Sequence, residues 1–170
     1  MNALLTGLIG VVGTLLGSFT TYVFQSRAAK RDQAERLRQE GVNSCSAFAA
    51  ALTELKQKEI TLWFAAQRDP KGADTQAART ECDRAGARAE VARFRVQLVS
   101  GNPDLMTLAD SAFDALEPIR RMAFGEGEPV NHASKEDEFP ELGEHETNFE
   151  SAVKKFINAA RAQLLPADLS

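Results

Sequence analysis

Met1 to Ser26 carry no charged side chain, and few folds can absorb such a run. Within it, Ala3–Phe24 (ALLTGLIGVVGTLLGSFTTYVF) is 22 residues of apolar, glycine and hydroxyl side chains. As an α-helix this segment measures about 33 Å, close to the roughly 30 Å hydrocarbon core of a bilayer. Tyr22, Val23 and Phe24 close it, and Arg27, Lys30 and Arg31 follow. An apolar span, an interfacial aromatic and a basic flank come in the order of a membrane helix. A cleaved signal would carry a basic n-region, a shorter apolar core and a small-x-small exit site. The stretch lacks all three, so a membrane span is expected over a signal peptide or a buried core helix.

The basic residues give the span a direction. None precedes it, whereas Arg27, Lys30, Arg31, Arg36 and Arg38 follow. Positive charge stays on the cytoplasmic side, so the expected arrangement is an outside N-terminus and a cytoplasmic body in the inner (plasma) membrane. The same cluster suits an anionic leaflet, although its first reading is a topology signal. Thr6, Gly10, Gly13, Gly17 and Thr21 recur at three- and four-residue spacing. Gly13 and Gly17 form a GxxxG pair, which allows helix backbones to approach closely in lipid. Gly10, Gly13, Gly17 and Thr21 are therefore the expected homo-oligomer face, against the alternative of a smooth stripe facing lipid.

Residues 27–170 are long enough for one compact domain beside the 1–26 anchor. Their patterning is helical throughout. From Ser26 to Gln67, Ala34, Leu37, Gly41, Cys45, Phe48, Leu52, Leu55, Leu62 and Ala66 step by threes and fours, the period of a buried seam. Gly41-Val42-Asn43-Ser44 gathers poor helix formers and marks an expected bend; unbroken, anchor and helix would run about 60 residues, roughly 90 Å. Asp69-Pro70-Lys71-Gly72 is a stop and a turn. Asp74–Ser100 carries a narrow stripe of Ala78, Cys82, Ala85, Ala89, Ala92, Val96 and Val99, suited to close packing on the first helix. A hairpin about the 69–73 turn would set Cys45 near Val96 and Cys82 near Glu59, too far apart for a disulfide. Gly101, then Asn102-Pro103, predicts a C-terminal glycine cap followed by an N-cap and a first-turn proline. Pro118 calls for a kink in the third helix or a restart at Glu117. The fourth helix begins in a capping box at Ser134–Asp137, or at Pro140, and Pro166 stops it. The expected fold is all-α: one transmembrane helix continuing into an antiparallel bundle of about four helices.

Chemistry is harder to find. A formal net charge of −4 argues against a specific nucleic-acid binder. Charge is uneven, with nine acidic residues and only Lys135 on the basic side between Gly125 and Glu150. His132, Glu138, Glu141, Glu144, His145 and Glu146 lie there, and Glu141 with His145 has the i, i+4 spacing of a helical ligand pair. No other helix supplies a matching inward pair, so a solvated acidic face is expected and no metal. Neither cysteine neighbours a histidine, and no phosphate-cradling glycine loop or nucleophile elbow is present. Trp63 and Phe64 are expected to pack on the core or cap the bundle end. No cofactor and no catalytic residue is expected.

Gly10-Val11-Val12-Gly13-Thr14-Leu15-Leu16-Gly17, followed at once by the Arg/Ala/Gln/Glu helix Gln25–Arg36, resembles small actinobacterial single-pass membrane proteins of the KilB type, from conjugative streptomycete plasmids. The resemblance covers the first third of the chain and implies an inner-membrane, non-enzymatic protein linked to plasmid transfer or spread. The expectation is a scaffold or adaptor that contacts membrane lipid, self-associates and binds a protein partner that the sequence does not identify. The alternative is a membrane-active oligomer, meaning a pore former, toxin or holin-like protein.

Overall fold

In the computed structural model, backbone is described for residues 2–125 and 140–165, and side chains for 30–125 and 141–165. Five helices account for nearly all of it: α1 (Asn2–Arg68), α2 (Ala73–Ser100), α3 (Pro103–Asp114), α4 (Glu117–Phe124) and α5 (Pro140–Leu164). Among the described residues there is no strand. By contacts the chain divides into two units, Met1–Gln39 and Glu40–Ser170.

The first unit is helical from Asn2. Lys30 to Leu37 are exposed, and Arg38 pairs with Glu35 at 3.3 Å. Leu37 and Ala34, expected on a buried seam, are in fact exposed. Among the described residues no helix is long and apolar enough to cross a membrane. The side chains of Ala3–Phe24, on which that expectation rests, lie outside the described residues, as does the Ser134–Asp137 capping box.

The second unit is an up-down-up-down bundle of α1 (from Glu40), α2, the α3–α4 pair and α5. Cross-helix contacts set the directions. Arg88 meets Glu54 at 2.7 Å and Lys58 meets Glu81 at 3.8 Å, so α2 runs back along α1. Arg93 meets Asp110 at 3.1 Å and Arg79 lies over the Phe124 ring at 5.4 Å, so α3 and α4 run back along α2. Phe48 meets Phe156 edge-on at 5.3 Å, while Lys56 reaches Glu146 at 3.0 Å and Glu150 at 3.4 Å. These place α5 antiparallel to α1. The core is the expected seam: Cys45, Phe48, Leu52, Leu55 and Leu62 face Cys82, Ala85, Ala89, Ala92 and Val96, with Leu105, Ala109, Ala112, Ile119, Phe149, Val153 and Phe156 closing it.

Local chemistry explains the breaks. At the first turn the Gly72 N–H donates to the Asp69 carbonyl at 3.1 Å, the Lys71 N–H donates to Asp69 Oδ1 at 3.2 Å, and buried Thr75 donates to the Asp69 carbonyl at 2.7 Å. A Cβ at Gly72 would fall 2.6 Å from Asp69 Oδ2, so that position is glycine for space. Gly101 ends α2 with φ +55, the left-handed cap glycine takes without strain. Asn102 Oδ1 accepts from the Asp104 N–H at 2.8 Å and caps α3, with Pro103 in its first turn. Pro118 cannot donate a backbone hydrogen bond, and the helix restarts at Glu117.

The expected weak point at Gly41–Ser44 does not break the helix: α1 stays helical through it. Gly41 is buried, and a Cβ there would lie 3.0 Å from Leu164 Cδ2 and 3.7 Å from Val99 Cγ1. Glycine allows the close approach of α2 and α5 to this turn, and its propensity cost of about 1 kcal/mol is outweighed by the packing it permits.

Candidate functional site

Of the residues expected to act at the membrane, Gly10, Gly13, Gly17, Thr21 and Arg27 have side chains outside the described residues; Lys30 and Arg31 are exposed. In the acidic segment, His132 and Glu138 also lie outside, Glu141 and Glu144 are exposed, and Glu146 is held by Lys56 at 3.0 Å. Among the described residues no group of three His, Cys, Asp or Glu is placed to hold a metal. Trp63 is buried and stacks at a tilt on the partly exposed Phe64, 4.8 Å between centroids.

The most unusual chemistry is inside the bundle. Glu59 follows Leu55 by four residues and precedes Leu62 by three, so the seam spacing sends its carboxyl to the core. It is 1 % exposed. Arg120 of α4 approaches it, with Nε 3.8 Å from Oε1, an ion pair too long for a hydrogen bond. Among the described residues neither carboxyl oxygen has a hydrogen-bond partner. Burial pushes its pKa up from 4.5 to about 7; the Arg120 charge opposes this and the Glu117 charge adds to it. Cys82 of α2 is buried close by, and burial together with the Glu59 and Asp83 charges raises its thiol to about 11 against the pull of Arg120. Cys45, also buried, is raised by burial alone. The pairing of Cys82 with the Glu59 neighbourhood follows the hairpin register read from the sequence. The Glu59–Cys82 cluster offers a carboxyl whose charge changes near neutrality beside one protonated, unreactive thiol. Neither Glu59 nor Cys82 lines either of the two surface grooves beside α1.

Two shallow grooves flank α1 on the surface. One, lined by Val42, Cys45, Ala49, Ile157, Ala160 and Leu164, is almost wholly apolar and lies between α1 and α5. The other lies between α1 and α2, with Asn43 and Ala47 on one side and Arg95 and Leu98 on the other.

Residues 42–164, from the first buried turn of the bundle to the last residue of α5, match the family model described as KilB plasmid transfer protein. The chain belongs to the KilB family. The match covers the bundle and stops short of the N-terminal run, so the segment that suggested KilB from sequence is not the one that defines it. No curated protein and no solved structure matches this KilB chain.

Proposed function

We propose that this chain is a non-enzymatic, membrane-anchored helical adaptor in plasmid transfer, with residues 1–26 as its anchor and the bundle as its cytoplasmic working part. The observation that carries this reading is the KilB match over residues 42–164, which joins a plasmid-transfer family to a bundle with a filled apolar core. The uncharged Met1–Ser26 run and its basic flank, Arg27, Lys30 and Arg31, support anchoring on length and charge asymmetry. Gly10, Gly13, Gly17 and Thr21 give the anchor a face for self-association in lipid, and the bundle surface is left for a protein partner.

The test is fractionation together with a plasmid-transfer assay. The intact chain should float with vesicles, resist carbonate extraction and expose its bundle to protease from the cytoplasmic side only. Deleting residues 1–26 should release it and abolish its contribution to transfer. A chain that washes off at high pH, or whose anchor is dispensable for transfer, refutes the proposal. Gly13→Ile with Gly17→Ile should weaken any oligomer; unchanged association excludes the glycine face.

A further inference from the structure

α2 has a second apolar seam on the side away from the core. Ala87, Val91, Phe94 and Leu98 follow one another at spacings of four, three and four, the a/d pattern of a two-stranded coiled coil. Val91 is 54 % exposed, Phe94 55 % and Leu98 84 %. This face lies opposite the buried Cys82, Ala85, Ala89, Ala92 and Val96. From Asp83 onward, charges on its two flanks are segregated. One flank carries Asp83 and Glu90, the other Arg88 and Arg95. Glu90 makes only a long 3.8 Å contact to Arg93, and Arg88 reaches across to Glu54. Asp83 and Arg95 are exposed, and neither has a hydrogen bond or ion pair among the described residues.

We infer that this outward face of α2 pairs with the same face of a second copy, in parallel and in register. In a parallel pair each g position meets the e position five residues on in the partner helix. That sets Asp83 of one copy against Arg88 of the other and Glu90 against Arg95, and the two-fold axis repeats both pairs. An antiparallel pair would set like flanks together. The occupant is therefore specified by the chain's own charge pattern: a basic flank answering an acidic one at matching register.

The three exposed side chains offer on the order of 300 Å², against roughly 800 Å² per partner in a standard interface. Pairing at this face is thus weak in free solution and rests on the proposed anchoring, which raises the local concentration of copies.

The test places single cysteines in the intact chain, reconstituted in lipid vesicles and mildly oxidised. Val91→Cys and Leu98→Cys should each form a disulfide-linked dimer with themselves, at least ten-fold above Lys154→Cys on α5 and above the unmodified chain, whose Cys45 and Cys82 are buried. Glu90→Arg in the Leu98→Cys chain should reduce the dimer several-fold, and adding Arg95→Glu should restore it. Absence of dimer at both positions, crosslinking only in mixtures of the two, or no effect of the charge reversal overturns the inference. Flotation of the same vesicles separates the two failures. A chain that floats without crosslinking refutes this pairing alone, whereas one that does not float refutes the anchoring beneath it.

Discussion

Replacing Glu59 with methionine should stabilise the protein at pH 8. The carboxyl is 1 % exposed and, among the described residues, is unbonded at both oxygens and 3.8 Å from Arg120. In the unfolded chain it titrates near 4.5, in the native bundle near 7. Between those values the unfolded state loses its proton first, so native stability falls as pH rises, and the loss is complete above about pH 7. Two and a half pH units at about 1.36 kcal/mol each give about 3 kcal/mol between acid and neutral conditions. Methionine fills a similar volume with no charge to desolvate, and Arg120, half exposed, turns to water. Urea unfolding of the intact chain in mild detergent, from pH 4.5 to 8, measures this directly. Wild type should lose about 2–3 kcal/mol more than Glu59→Met over that range, with the variant more stable by a similar amount at pH 8. Other titrating groups are common to both chains and cancel in the difference. Parallel pH profiles, or a variant less stable at pH 8, would show that the carboxyl is better satisfied than its geometry indicates.

Three further outcomes follow from the packing. Phe48→Ala and Phe156→Ala should each cost about 3–5 kcal/mol. In the double variant the losses should sum to less than the singles predict, by about 0.5–1.5 kcal/mol, because the rings meet edge-on; strict additivity in denaturant melts would contradict that contact. Both thiols should resist maleimide at pH 8 until the chain is unfolded, since burial raises each pKa and keeps the thiolate scarce; rapid native labelling of Cys82 would contradict its placement. Gly41→Leu should lower the melting temperature through overpacking worth about 1–3 kcal/mol, while Gly41→Ala asks only the end of Leu164 to shift and should stay within about 1 kcal/mol of wild type; equal melting of all three would show that α2 and α5 do not close on that turn.

Three- and four-residue spacing read most of the bundle correctly, because a helix of 3.6 residues per turn leaves no other way to bury Phe48, Leu52 and Leu55 together. The hairpin register was legible too, since the Asp69–Gly72 turn is short enough to fix which residues of α1 and α2 face each other. Asn102 and Pro118 declared their roles by backbone chemistry alone. Leu37 continues the apolar spacing of the seam but belongs to the first unit, where it is exposed. Gly41 looked like a weak point because propensity is local, while the contacts that require a glycine come from α2 and α5. Glu59 was overlooked although Leu52, Leu55, Glu59 and Leu62 step evenly, and an acid on a core seam is itself a signal. The outward seam of α2 was hidden by the arginines around it. The resemblance to KilB rests on the N-terminal run, whereas the family match covers residues 42–164.

Lys56 has a consequence for the order in which the chain assembles. α5 begins 16 residues after α4 ends. Lys56 ties it to α1: mostly shielded from solvent, it holds Glu146 and Glu150 on successive turns and lies 5.7 Å from the Phe149 ring. These contacts span about 90 residues of chain, so their loop-closure entropy is met only once most of the bundle exists. During synthesis the α1–α2 hairpin can form early from local contacts, with Phe48 waiting uncovered for Phe156. The bundle is thus completed by its last helix, and a chain truncated before α5 would present its aromatic core to the cell.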